Sequence, residues 1–304
     1  MCFGNGAATS SFYPEKLFPA AIAAWVSGGN APGARDLVKQ VVSTEAFQHR
    51  LEHLKGDDRK DYGKVMGALN PTNRKDLIQP LLDNSKINWG HMALARLIRQ
   101  TNVQRILTFN FDLVLERSAS LMGMHLPVYD FGVAPTKDIS GLATPAIYHL
   151  HGQSYGLRLM NSAQETQDHA NRLRAVIADS LRHHTTLVTG YGGAADGAFK
   201  VMEVEFNSQN DLFWLGYGKT PDRHLKPLLD KEYANYIGGC DFDTTMITLA
   251  RELGCFPPEV IANPPAHVLE ELEDVVDYPV QPETGLDILT DTRKRLKNAA
   301  GVLG

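Results

Sequence analysis

Two short runs carry the residue types that proton transfer on a sugar would use: Thr108-Phe109-Asn110-Phe111-Asp112 and, further along, His149-Leu150-His151-Gly152. An amide can grip ribose hydroxyls or orient a water, and a carboxylate can accept from a carboxamide. An imidazole takes up a proton near neutral pH without a large pKa shift. Each run follows an apolar, strand-like stretch, Arg105-Ile106-Leu107 and Ala146-Ile147-Tyr148, so a parallel sheet delivers both to the same end. Ligands bind at that end of an open α/β sheet.

The same residues have plainer uses. Asn110 and Asp112 could cap the helix that begins near Leu113, the commoner task of such side chains and one compatible with a site role for Asp112. A histidine before glycine at a strand end can be no more than a polar turn residue. His149 lies two positions before His151 and so on the same face, but deeper, which suits a buried hydrogen-bonding partner better than a base.

Positioning these residues requires a sheet, and the chain reads as one. Strand-like runs recur at Thr185 to Thr189 before Gly190-Tyr191-Gly192-Gly193, and at Leu212-Phe213-Trp214-Leu215 before Gly216-Tyr217-Gly218. Strands that alternate with helical stretches and end in glycine-rich turns predict a Rossmann-like parallel α/β sheet with helices on both faces. The start, Gly4-Asn5-Gly6-Ala7-Ala8-Thr9-Ser10-Ser11, is a small-residue loop of the kind that lets backbone N–H groups approach a phosphate, ahead of a helix near 17–26, although the loop alone reads more simply as a flexible N-terminus. Only three residues precede Gly4, so the strand that such a loop follows is expected to be very short or missing.

Between about 34 and 100, apolar residues recur at helical spacing, as in Leu37, Val41, Val42 and Phe47 and again in Leu77, Leu81 and Leu82. Asn70-Pro71-Thr72-Asn73 has helix-capping chemistry, and His91 to Ile98 is amphipathic, with His91 on the apolar side as a packed, hydrogen-bonded residue. This stretch is expected to be a helical insertion over the mouth of the sheet. A last core helix, about 243–253, closes at Gly254. From residue 264 an acidic run (Glu270, Glu271, Glu273, Asp274) and then a basic one (Arg293, Lys294, Arg295, Lys297) lack a core stripe. The expected division is therefore 1–263 as one domain and 264–304 as a helical arm, whose charge contrast offers an inter-subunit contact.

With 304 residues, 43% of them hydrophobic and 21% charged, the chain can bury a full α/β core. A net charge of −5 argues against direct nucleic-acid binding, which shows as a basic surface. The cysteines are Cys2, Cys240 and Cys255, with no Cys-x-x-Cys pair, so they cannot build a four-thiolate zinc module, and no metal is expected. Cys240 reads as a buried, inert thiol, and Trp214 and Tyr217 as core aromatics. No apolar run is long enough to span a bilayer, and Met1-Cys2-Phe3 passes into Gly4-Asn5-Gly6 without signal-peptide regions. A cytoplasmic protein without membrane contact is the expectation.

Taken in order, the motifs resemble the sirtuin superfamily, and within it a zinc-free bacterial branch of NAD-hydrolysing defence effectors. The matching segments are Gly4 to Ser10, His91 to Leu97, Thr108 to Asp112, His151-Gly152, Gly190-Tyr191 with Asp196, and Gly239-Cys240-Asp241. Asn5, Ala8 and Phe109 depart from the family pattern. The resemblance implies NAD as substrate and cleavage of its nicotinamide–ribose bond through an oxocarbenium-like transition state, during defence against phage. It implies His151 as base, Asn110 orienting the ribose or a water, and Asp112 accepting from the nicotinamide carboxamide. Gly4, Gly6, Ala7 and Ser10 would hold the NAD phosphates. Gly190, Tyr191 and Asp196 would line the adenosine half, with Asp196 on a ribose hydroxyl, and Cys240 and Asp241 would lie at the adenine edge. A homo-oligomer or a complex with a defence partner is implied as the trigger. The alternatives are an NAD-dependent lysine deacylase, a branch that usually carries a four-cysteine zinc module, and an NAD or ADP-ribose sensor without turnover.

Overall fold

The computed structural model of the chain describes residues 2–3, 45–55, 58, 62–83, 85–153, 163–193, 196–276 and 287–303. Strand β1 (Cys2–Phe3) is followed by helices α1 (Glu45–Arg50), α2 (Tyr62–Ala68), α3 (Pro71–Asp83) and α4 (Trp89–Gln100). Then come β2 (Arg105–Thr108), α5 (Val114–Leu121), β3 (Val128–Asp130), β4 (Ala146–His149), α6 (Ala163–His183), β5 (Thr186–Thr189) and α7 (Gly197–Glu205). The chain continues through β6 (Leu212–Gly216), α8 (Lys226–Leu229), β7 (Ala234–Gly238), α9 (Phe242–Glu252), α10 (Glu259–Ala262), α11 (Pro264–Val276) and α12 (Asp287–Leu303).

The strands form one seven-stranded sheet in the order β3-β4-β2-β1-β5-β6-β7, and every pairing is parallel. This is the expected Rossmann-like α/β architecture. The short first strand lies in the middle: Phe3 pairs with Thr108 on one side and Thr189 on the other. The chain winds to one side of β1 through β2, β3 and β4, then returns to the other through β5, β6 and β7. The order therefore reverses at β1, and such a reversal opens a crevice at the carboxyl ends of the strands.

Alternation along the strands sends side chains to two helix layers. Ile106 and Ile147 face Ala93, Leu94, Leu97 and Ile98 of α4 and Met246 and Ala250 of α9. Leu107, Tyr148 and Val188 face the opposite layer, where Leu173, Val176, Ile177 and Leu181 of α6 meet Ala198, Phe199 and Met202 of α7. Each fully buried aliphatic side chain contributes about 1.5–3 kcal/mol by leaving water. Helix α4, the last part of the stretch expected as an insertion over 34–100, is thus a wall of the core.

Helix α4 starts where the sequence provides a reciprocal cap. The Asn88 side chain accepts from the His91 N–H at 3.0 Å, and the Asn88 N–H donates to His91 Nδ1 at 3.4 Å. Helix α3 begins, as its Asn-Pro start suggests, with Asn70 accepting from the Asn73 N–H at 2.9 Å. Arg74 Nη1 of α3 donates to both carboxylate oxygens of Glu165, at 2.6 and 2.7 Å. Glu165 lies in the first turn of α6, which leaves the carboxyl end of β4, so this pair ties α3 to the mouth end of the sheet. At the far end of the chain, α11 and α12 pack on each other. Glu270 bonds to Arg99 of α4, so this acidic residue of the arm is engaged within the chain.

Candidate functional site

The register aligns Asp130, His149, Thr108, Phe3 and Thr189 in one row across the ends of five strands. Asn110, His151 and Tyr191 each lie two residues beyond that row, at the exits of β2, β4 and β5 around the crevice. The Leu150 N–H donates to the Thr108 carbonyl at 2.9 Å, which carries the β2–β4 pairing past the last ladder residue. The exits of β3 and β4 touch at glycines. A Cβ built on Gly132 would stand 2.7 Å from the Gly152 Cα, so Gly132 accepts no side chain without a backbone shift.

Asn110 is held by its main chain. Its N–H donates to Thr108 Oγ1 at 3.1 Å, and its carbonyl lies 2.9 Å from His149 Nδ1. Among the described residues its carboxamide makes no hydrogen bond, and the residue is half-buried. Asp112 is buried and accepts from the Val114 N–H at 3.1 Å, at the start of α5. The N-cap position of α5 is Leu113, which makes no side-chain cap, so Asp112 meets the helix from one residue before the cap through this one bond. Burial raises its carboxyl to about 6, and the nearby Glu116 charge adds to the rise. The Val114 hydrogen bond and the His149 charge oppose it.

His151 is 4% exposed, and its nearest charged neighbour is Asp196, with Nε2 and Oδ1 3.6 Å apart. Among the described residues Nε2 has no hydrogen-bond partner. Burial lowers the His151 pKa, against the opposing pull of the Asp196 charge, so the ring is neutral at pH 7. The ring leans on Phe109 with centroids 4.9 Å apart, and Phe109 stacks on Tyr191 at 4.4 Å. Phe109 thus fills the space between His151 and Tyr191. His169 of α6 is also buried, with its Nε2 2.9 Å from the Leu150 carbonyl and its ring 6.4 Å from that of His151.

Asp196, expected in the adenosine half on a ribose hydroxyl, stands beside His151. Its Oδ1 accepts from the Ala198 N–H at 2.9 Å as the N-cap of α7, and its Oδ2 accepts from the Tyr191 hydroxyl at 2.8 Å. Tyr191 is itself buried. Gly190 takes φ +65°, the left-handed turn that carries the chain from β5 to this pair. The buried hydrogen-bonding role read for His149 is what its contacts show: it is 0% exposed and bonded to Asn110 and Glu116.

Cys240 and Asp241 lie at the exit of β7. The Cys240 N–H donates to the Gly216 carbonyl at 2.9 Å, and Asp241 caps α9 by accepting from the Thr244 N–H at 2.9 Å. Cys240 is half-buried rather than buried, because β7 is the edge of the sheet. Tyr217 is 83% exposed rather than core, because it follows β6 outside the layer that buries Trp214. Gly4, Gly6, Ala7 and Ser10 lie outside the described residues. Among the described residues, no group of three or more His, Cys, Asp or Glu is set to hold a metal ion. No helix among them is long and apolar enough to cross a membrane.

With this geometry in view, the family of SIR2-like domains matches the chain over residues 104–235. A SIR2-like domain is thus present there, and it implies binding of NAD and NAD-dependent activity in general. The matched span contains Asn110, Asp112, His151, Gly190, Tyr191 and Asp196. It does not reach Gly4 to Ser10, Cys240 or Asp241. A comparison with curated proteins found no match.

Proposed function

We propose that the protein is an NAD glycohydrolase that cleaves the nicotinamide–ribose bond to give nicotinamide and ADP-ribose. What supports the reading is an Asn110 carboxamide without a partner among the described residues and a neutral, buried His151, set at the neighbouring exits of β2 and β4 in a SIR2-like domain. As the bond from the ribose C1′ to the nicotinamide nitrogen breaks, its electron pair leaves with nicotinamide. A water oxygen then bonds to C1′, and the water's proton passes to His151. Asn110 orients the ribose or that water, and Asp112 accepts from the nicotinamide carboxamide. Asp196 stabilises the imidazolium that results. Gly190 and Tyr191 line the adenosine half, while Gly4, Gly6, Ala7 and Ser10 hold the phosphates, and Cys240 and Asp241 lie at the adenine edge.

Depletion of NAD by such an enzyme fits a cytoplasmic role in defence against phage, in which the cell is sacrificed. An activity of that kind has to be held off until assembly with further copies or with a partner protein triggers it. The test is incubation of the purified chain with NAD, alone and with candidate partners, resolving nicotinamide, ADP-ribose and cyclic products. Equimolar nicotinamide and ADP-ribose is the expected result. Nicotinamide release only in the presence of an acyl-lysine peptide would replace this reading with a deacylase.

A further inference from the structure

His149 is fully buried, so it touches no substrate, yet it ends β4 directly beside the β2 exit that carries Asn110. Its two ring nitrogens meet two acceptors: the Asn110 carbonyl 2.9 Å from Nδ1, and Glu116 Oε1 2.5 Å from Nε2. A carbonyl only accepts, so Nδ1 carries a proton. A carboxylate in its ionised form only accepts too, so beside an ionised Glu116 Nε2 carries a second, and the ring is an imidazolium neutralising that charge. A buried ion pair is a poor device for stability, because desolvation of both charges offsets their attraction, and apolar residues of equal volume often serve as well. Its use must lie in what it fixes.

What it fixes is Asn110. Beyond the last ladder residue of β2 the main chain no longer has a strand partner for every polar atom. The Asn110 N–H is taken by Thr108 Oγ1 and the Asn110 carbonyl by the His149 ring. Both main-chain groups are therefore pinned by buried side chains, while the carboxamide is left without a partner among the described residues. The charged groups around His149 come from three elements: Glu116 on α5, Asp112 in the turn before it and Asp130 at the end of β3. One imidazolium thus serves three carboxyls at the mouth. Although burial works against its charge, the Glu116 bond and charge outweigh it and raise the His149 pKa, with smaller help from the Asn110 carbonyl and Asp112.

We infer that His149 and Glu116 are a positioning pair: the ring, held doubly protonated by the Glu116 carboxylate, locks the Asn110 main chain and so aims the Asn110 carboxamide at the substrate. The effect on turnover rests on the NAD-cleaving reading; the protonation and the lock do not.

The test combines two readouts on the full chain. Nitrogen-15 spectra of protein labelled at histidine and asparagine are expected, at pH 7, to show both His149 nitrogens protonated, and the Asn110 carboxamide as one sharp pair of resonances. Glu116→Gln can still bond the ring and is expected to keep that single pair and to retain kcat within about fivefold. Glu116→Leu and His149→Phe remove the lock. They are expected to broaden or double the carboxamide signals and to lower kcat per folded molecule by about tenfold to a hundredfold, with KM within about threefold. A bare Nε2 at pH 7, a folded His149→Phe with wild-type kcat, or a Glu116→Gln as impaired as Glu116→Leu would each overturn the pair. If the wild type releases no nicotinamide under any condition, the hydrolase reading fails alone, because the spectra still judge the lock.

Discussion

At His151 two forces set the proton affinity of the ring. Burial favours neutral imidazole, and the Asp196 carboxylate 3.6 Å away favours imidazolium, with burial the stronger. A base must be unprotonated to act, so the acid limb of kcat/KM is expected below the ordinary histidine value of 6.5. Asp196→Asn removes the charge that raises this pKa, so the limb should move to still lower pH while the maximal rate falls. An acid limb that stayed in place or moved up in a pH–rate profile would show that Asp196 does not act through His151. Asp112 gives a second test, with opposite consequences for stability and function. Its folded pKa of about 6 lies above the ordinary 3.8, so the ionised form costs the fold about 3 kcal/mol at pH 7, and protonation relieves that as pH falls. Asp112→Asn can still accept from the Val114 N–H, and is expected to gain up to about that much stability at pH 7. The gain should shrink through pH 6 and vanish near pH 4, as denaturant midpoints across that range would show, while NAD cleavage is lost.

Among the elements, α4 carries the clearest pH liability. Its capping residue His91 is packed against Phe242 with ring centroids 5.1 Å apart, and burial lowers its pKa from 6.5 to about 4. The unfolded chain therefore binds a proton more readily, and the fold keeps its full stability above pH 6.5 and loses about 3 kcal/mol as pH falls to 4. His91→Gln should flatten that loss relative to wild type in paired unfolding curves at pH 7 and pH 5. An unchanged difference between the two pH values would refute it. The strands that end at Thr108, His149, Thr189 and Gly216 were legible because each is an apolar run closed by a polar or glycine-rich turn. Strand β3 escaped notice because it is three residues long, and β7 because Ala-Asn-Tyr-Ile-Gly is a largely exposed edge strand without a buried stripe. Asn110 and His151 could be singled out from local motifs. The contacts of His151 with Asp196, and of His149 with Glu116, join residues far apart in the chain, and only the sheet order brings them together.

Across the whole molecule, the Arg74–Glu165 pair ties α3 to the mouth, and the Arg99–Glu270 contact docks the C-terminal helices on α4. The trigger we propose is a neighbouring copy or partner packed over the stretch 34–100, closing the crevice and ordering the site. Turnover per subunit is then expected to rise with protein concentration as oligomers form, measured alongside mass by light scattering. A constant rate from dilute monomer to assembled complex would exclude this gating. The central claim is tested most directly by nicotinamide release from NAD under activating conditions, for the wild type, Asn110→Ala and His151→Ala, each checked for folding. The account predicts that either substitution lowers the rate at least about a hundredfold with the fold intact. Near wild-type release from either folded variant would contradict it.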